Sequence, residues 1–331
     1  MPRILLVKTS SLGDVVHNLP VVSDILNHFP NAQIDWVVEE SFAAIARMHP
    51  SVRRVIPVAI RRWRRNLLRA ETCAEWRTFL GSLRAHEYDA VLDTQGLLKS
   101  ALVTYAARGL RHGLDWKSSR EPLWIFYNRT HAVSWGQHAV ARNRSLVAQA
   151  LGYPLAAPAD YGTARPKNCA DDVSNPGFTW LPAARYVVFL HATSASAKLW
   201  PERHWIELAN HLLLDKIISI LPWGSADERE RSERLAAAMS AAVVPPALSL
   251  QQLAALLQNA RTVVGVDTGL THLAAALQVP TVGIYCATDP AATGIYACPL
   301  GANLGGIGAP PGVQEVIEAI ERMVQLRRAG R

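Results

Sequence analysis

Two short stretches carry the residue types that group-transfer chemistry needs. The first is Thr9-Ser10-Ser11-Leu12-Gly13-Asp14, which leaves an apolar run at residues 4–7 and enters a helical pattern carried by Val15, Val16, Leu19 and Val22. Gly13 permits a tight turn or a close approach of backbone to ligand, and Asp14 places a carboxylate where a helix begins. Two readings of Asp14 stand side by side: an N-cap, stabilising by about 1 kcal/mol, or a general base at the mouth of a crevice. The second stretch is Val266-Asp267-Thr268-Gly269-Leu270-Thr271-His272. Free backbone N–H groups and the positive end of a helix dipole are what a diphosphate requires, and Thr268 and Gly269 would supply them. Asp267 repels phosphate, so it suits sugar hydroxyls or the bracing of the turn, unless Asp267 and Thr268 only cap the helix. His272, one turn in, reads as a packed core histidine before a ligand-binding one.

Further candidates follow from position. In residues 191–198, Thr193 and Ser194 offer hydroxyls to phosphate oxygens and Lys198 a mobile positive charge. Glu228 follows Pro222-Trp223-Gly224 and is either a ribose acceptor or an ordinary exposed helix carboxylate. Arg61, Arg62, Arg64 and Arg65 surround Trp63 in the densest positive cluster, which fits an acceptor bearing several anions or a solvated basic helix. No recognisable nucleic-acid-binding motif accompanies it.

The elements that must position these residues alternate from the start. Apolar runs at residues 4–7, 34–38, 52–58 and 88–92 read as strands; residues 41–48, a stretch ending at 83, and residues 97–107 and 138–151 read as helices. Residues 109–128 read as a basic loop, and the Pro, Gly, Asp and Asn of residues 152–182 as an interdomain linker. The alternation resumes with strands at 187–190, 217–221, 262–266 and 279–285. Helices at 201–214, 227–239, 249–259 (capped by Ser249), 270–277 and 313–328 go with them. Two alternating halves without a short repeat predict an α/β protein of two doubly wound domains facing across a cleft.

Size and composition set the limits. The 331 residues suit two domains, and 50% apolar with 18% charged residues describe a compact globule. A net charge of +7 and a pI near 9.4 point to an anionic partner: nucleic acid, an acidic membrane surface or a phosphorylated substrate. Cys73, Cys169, Cys286 and Cys298 lie too far apart for a zinc or redox motif and read as reduced thiols. No uncharged run is long enough to cross a bilayer, and no signal peptide is expected. No Gly-x-Gly-x-x-Gly follows a strand and no P-loop occurs, which argues against dinucleotide redox enzymes and NTPases. The lack of Asp-x-Asp and of a His/Cys cluster favours a diphosphate held by lysine and amides over a metal-bound one.

Over nearly its whole length the chain resembles glycosyltransferase family 9, the lipopolysaccharide heptosyltransferases. The likeness rests on Val7-Lys8-Thr9-Ser10-Ser11-Leu12-Gly13-Asp14, Trp36-Val37-Val38-Glu39-Glu40, Val55-Ile56-Pro57-Val58-Ala59-Ile60-Arg61-Arg62-Trp63-Arg64 and Asp93-Thr94-Gln95-Gly96-Leu97-Leu98-Lys99-Ser100. Leu221-Pro222-Trp223-Gly224 and Val266-Asp267-Thr268-Gly269-Leu270-Thr271-His272 complete it. The resemblance implies a GT-B fold of two Rossmann-like domains, acceptor-binding over residues 1–165 and nucleotide-sugar-binding over residues 166–331, with the last helix packing back toward the first domain. It implies metal-independent, cofactor-free, inverting transfer of L-glycero-D-manno-heptose from the co-substrate ADP-heptose to a Kdo residue of lipid A. It also implies peripheral attachment to the cytoplasmic leaflet of the inner membrane, with no nucleic-acid partner.

In that family the aspartate matching Asp14 is the general base, and positions matching Thr193, Ser194, Lys198, Glu228, Asp267, Thr268 and Gly269 line the donor site. Leu270 and His272 join them as donor-side candidates. Arg61, Arg64 and Arg120 match acceptor-side residues, and Ser10, Ser11, Arg62 and Arg65 are grouped with these. Two departures bear on nucleotide contact: Ala195-Ser196-Ala197 stands where relatives often carry charges, and Tyr285-Cys286-Ala287-Thr288-Asp289-Pro290 replaces a more usual Gly-Pro-Thr-Asp-Pro. The competing readings are a family member adding the next sugar and a non-catalytic basic nucleic-acid-binding protein.

Overall fold

Strands that parallel sheets bury on both faces are runs of apolar residues, and β1 (Arg3–Val7), β7 (Tyr186–Leu190), β10 (Thr262–Val266) and β11 (Thr281–Tyr285) are such runs, almost wholly buried. The computed structural model describes residues 1–66, 69–163 and 178–329. The chain divides into two compact units, Met1–Thr163 and Ala164–Arg331. In the first, β1 is joined by β2 (Gln33–Glu39), β3 (Val52–Val58), β4 (Tyr88–Asp93), β5 (Gly109–Leu114) and β6 (Arg129–His131) in a parallel sheet of order β3-β2-β1-β4-β5-β6. In the second, β7, β10 and β11 are joined by β8 (Ile218–Ile220), β9 (Ala242–Val243) and β12 (Gly301–Gly305) in the order β12-β11-β10-β7-β8-β9. Each unit therefore starts in the middle of its sheet, builds to one edge and then to the other. The reversal between β1 and β4, and between β7 and β10, opens a crevice at the carboxyl ends of those strands, where doubly wound sheets bind ligands.

Several elements differ from the sequence reading, each for a local reason. The helix after β1 is two helices, Leu12–Val16 and Leu19–His28, because Pro20 offers no N–H to the carbonyl of Val16 and its ring crowds that turn. Gly13 lies inside the first of them with helical backbone, so it makes no left-handed turn. β5 falls in the segment read as a basic loop. Its Gly113 is required because a Cβ there would come within 2.3 Å of the Tyr127 ring. β6, β9 and β12 are short edge strands; the polar residues of β6 and the Gly and Asn of β12 carry no apolar run, and β9 is only the two residues Ala242–Val243, too short to show a period. Ser249 caps the helix Leu250–Asn259 as read, accepting from Gln252 N–H.

The last helix, Val313–Ala329, sends Val316, Ile320 and Met323 into the core of the second unit, beside Trp200 and Trp205. Trp200 Nε1 donates to Pro311 O at 2.9 Å just before that helix starts. Cys73, Cys286 and Cys298 are free thiols, and Cys169 lies outside the described residues, as does the middle of the segment read as a linker. Among the described residues no helix is long and apolar enough to cross a membrane.

Buried histidines tie stability to pH. Burial lowers His191 to about 3 and His49 to about 4. Both are neutral when folded and gain a proton on unfolding below their ordinary value near 6.5. Unfolding between pH 6.5 and 4 should therefore take up about two protons from these side chains, and stability should fall as pH falls through that window. Urea titrations at stepped pH will read this; replacing His191 by Gln should remove about one proton from the slope.

Candidate functional site

In the first unit the groups converge on the carboxyl ends of β1 to β4. Ser11 ends the loop after β1 as the N-cap of Leu12–Val16, with Asp14 at the third helical position. The Ser11 N–H and hydroxyl both donate to Asp14 Oδ2, at 2.7 and 2.9 Å. Capping thus occupies one carboxylate oxygen; among the described residues no donor is hydrogen-bonded to the other. Thr9 and Ser10 give their N–H groups to Gln95 Oε1, both at 3.0 Å, which ties the β1 loop to the β4 loop. That second loop turns on left-handed Gly96, and Asp93 Oδ1 accepts the N–H groups of Gln95 and Gly96.

Cations surround this carboxylate. Lys8 is fully buried, with Nζ donating to Thr94 O at 2.8 Å; burial lowers its pKa, and the charges of Asp14 and Asp93 oppose the shift. Lys99, from the first turn of Leu98–Ala106, donates to Ser10 Oγ. Its pKa is lowered by burial and by Arg61, against Glu39 and Asp14, with Arg64 adding repulsion. Glu39, at the end of β2, is 2% exposed and accepts the Arg61 N–H at 3.0 Å; burial raises its pKa and Arg61 opposes the rise. Asp14, Ser10, Ser11, Arg61 and Arg64 accordingly lie close to, or within the electric field of, one another. Arg62 is committed elsewhere, to Glu40 and Glu75 on the surface. Arg65 is exposed, and Arg120 lies over the Trp135 ring at 5.9 Å. Lys8, Glu39, Gln95 and Lys99 complete this cluster; in the sequence they stand inside the motifs at 7–14, 36–40 and 93–100, with no local signal that marks them as site residues.

The second unit gathers its groups where β7 and β10 end. Asp267 is 9% exposed and forms the hub. Its Oδ2 accepts from Lys198 Nζ at 2.7 Å and from Thr288 Oγ1 at 2.9 Å, while His272 Nε2 lies 3.6 Å from Oδ1. Burial works against the charge, but hydrogen bonds from His272, Lys198 and Thr288 outweigh it and hold the carboxyl well below the usual range. Thr193 Oγ1 donates to Asp267 O at 3.2 Å, joining the loops after β7 and β10. Thr268 is the N-cap residue of the helix Gly269–Ala276 and makes no side-chain capping bond; Thr271 N–H turns back to Thr268 O, while the Gly269 and Leu270 N–H groups have no carbonyl a turn earlier in the helix to reach. Gly265 lets this helix pack close, since a Cβ would come within 2.1 Å of Thr271 Oγ1. Leu270 is half-buried and Ser194 exposed. Glu228 Oε2 accepts Gly224 N–H at 2.6 Å, closing the turn after Trp223. Among the described residues no group of three or more His, Cys, Asp or Glu side chains could hold a metal ion.

Known proteins resemble the chain over most of its length. The sequence pattern of glycosyltransferase family 9 (heptosyltransferase) matches residues 76–319. Lipopolysaccharide heptosyltransferase 1 of Pseudomonas aeruginosa is 52% identical over 297 residues, covering 89% of this chain and 81% of that one. Its Escherichia coli K12 counterpart is 48% identical over 300 residues, covering 89% and 91%. By contrast, lipopolysaccharide heptosyltransferase 2 of the same organism is 24% identical over 308 residues, covering 87% and 84%. The solved structure of E. coli heptosyltransferase WaaC with ADP superposes with a TM-score of 0.85 at 43% identity, covering 97% of this chain and 99% of that one.

Proposed function

Since the chain belongs to glycosyltransferase family 9, we propose that it transfers L-glycero-D-manno-heptose from ADP-heptose to a Kdo residue of lipid A, in lipopolysaccharide inner-core synthesis. Identities of 52% and 48% to heptosyltransferase 1, against 24% to heptosyltransferase 2, favour the first heptose addition over the second. The observation that carries the residue-level reading is the Asp14 carboxylate, anchored through one oxygen and set among Lys8, Lys99 and Arg61 at the reversal point of its sheet.

The free oxygen of Asp14 takes the proton of the acceptor hydroxyl as that oxygen attacks the anomeric carbon. The bond from this carbon to the β-phosphate oxygen breaks in the same step, so ADP leaves with inversion and no sugar–enzyme intermediate forms. Lys198, Thr193 and the N–H groups of Thr268 and Gly269 meet the charge that grows on the departing diphosphate, with Ser194, Leu270 and His272 around them. Glu228 and Asp267 serve the sugar hydroxyls. On the acceptor side, Ser10, Ser11, Arg61, Arg64 and Lys99 face the carboxylate and phosphates, and Arg120 extends the positive field. An acceptor held in the cytoplasmic leaflet makes the enzyme a peripheral one.

Incubating the protein with ADP-heptose and Kdo-bearing lipid A, with and without chelator, should release ADP only when both substrates are present and at a rate the chelator leaves unchanged. Lack of release would refute the reading. Offering an already heptosylated acceptor alongside should show preference for the unsubstituted Kdo; the reverse preference would assign the second addition.

A further inference from the structure

Exposed apolar side chains are ordinary when scattered and informative when contiguous. Eight of the fourteen large apolar side chains exposed among the described residues fall within residues 98–135. Leu98, Leu102 and Tyr105 recur at helical spacing along one open face of Leu98–Ala106. Next to that face lies the turn Trp124–Phe126, where Trp124 and Ile125 are 53% and 62% exposed and Phe126 meets the Tyr105 ring edge-on at 6.1 Å. Trp116 lines one hollow with Trp124, Arg120 and Pro122. Built-in contacts hold this surface in shape: Glu121 accepts the Leu98 N–H at 2.6 Å, and Trp135 Nε1 donates to Lys117 O at 2.7 Å.

The charge pattern indicates what covers it. Residues 98–135 hold six Lys and Arg against two carboxylates. Both carboxylates are tied to backbone, Asp115 to Ser118 N–H and Glu121 to Leu98 N–H. Three of these cations lie over aromatic rings, Lys117 on Trp116 at 5.5 Å, Arg111 on Tyr105 at 4.8 Å and Arg120 on Trp135 at 5.9 Å, and the neighbouring Arg142 lies over Trp135 at 4.1 Å. An apolar ring and a positive charge are thus offered at one depth, which matches the boundary between acyl chains and anionic headgroups, where Trp and Tyr concentrate. A second copy of the chain would bring this basic surface against itself. We infer that the Leu102–Trp116–Trp124–Ile125 surface of the first unit is the face by which the protein lies on an anionic bilayer. The inference deepens the membrane-bound-acceptor reading and rests on it for the choice of a lipid partner.

Flotation with vesicles of phosphatidylcholine, alone or with added phosphatidylglycerol, tests it without either substrate. The protein should bind only the anionic vesicles, less as salt rises. The double variant Trp116→Ala, Trp124→Ala should bind at least about tenfold more weakly. It should keep parental turnover on a deacylated, water-soluble Kdo acceptor. If it folds poorly, Leu102→Glu with Ile125→Glu, at solvent-facing positions, tests the same surface. Equal binding by folded variant and parent, no binding by the parent, or a parental dimer that the variant loses would overturn the inference. Failure of the parent to turn over the soluble acceptor would count against the heptosyl-transfer reading instead, leaving vesicle binding to stand by itself.

Discussion

Changing Asp14 to Asn is expected to lower kcat about 10²- to 10⁴-fold while ADP affinity stays at its parental value, the loss of a positioned general base. Asn retains a side-chain oxygen to accept the Ser11 N–H and hydroxyl, now 2.7 and 2.9 Å from Asp14 Oδ2, so the helix Leu12–Val16 keeps its start. Asp14→Ala loses base and cap together and should add about 1 kcal/mol of destabilisation to a similar kinetic defect. The pair of variants separates the two duties of one carboxylate. If capping were its whole role, Asn would turn over like the parent and Ala would fail only in proportion to the unfolded fraction. A second sign follows from charge. Removing an anion that faces an anionic acceptor should leave the acceptor KM unchanged or lower it, whereas a merely disordered loop would raise it. Steady-state kinetics against acceptor, calorimetric ADP titration and urea unfolding read the three quantities.

How much of this was legible in the chain depended on the kind of signal. Val263-Val264-Gly265-Val266 announces a buried central strand because four consecutive small apolar residues have no amphipathic alternative, and the Asp267-Thr268-Gly269 that follows must then fall at the crevice. The same logic located Asp14 after Ile4-Leu5-Leu6-Val7. β5 was illegible because Gly-Leu-Arg-His-Gly-Leu has no clean period, and what makes it a strand is pairing with β4 and packing under Tyr127. Gln95 and Lys99 joined the picture only through contacts between residues about ninety positions apart, which local pattern cannot express. Arg61 and Arg62, adjacent in sequence, part company because one turns its N–H to buried Glu39 while the other reaches Glu40 and Glu75 on the surface.

Changing Lys198 to Ala should cost about 10²- to 10³-fold in turnover, the usual scale for removing one preorganised group that meets charge in a transition state. The loss should fall more on kcat than on KM, since negative charge on the diphosphate grows as the glycosidic bond breaks. The partner complicates the ground state in a testable way. Lys198 Nζ lies 2.7 Å from Asp267 Oδ2, and that carboxyl is held ionised by His272, Lys198 and Thr288 against the penalty of burial. Without the ammonium, Asp267 keeps its negative charge beside the diphosphate position with one counter-charge fewer, so ADP should also bind more weakly. Adding Asp267→Asn removes that repulsion. The double variant should regain much of the lost ADP affinity and little of the turnover, because neutral Asn cannot replace an ammonium at the leaving oxygen. Calorimetric titration of ADP into the parent, the two single variants and the double variant gives the coupling directly. Additive losses in affinity would mean that Asp267 and Lys198 act on the nucleotide independently; parental turnover and ADP affinity in Lys198→Ala would overturn the assignment of Lys198 to the diphosphate.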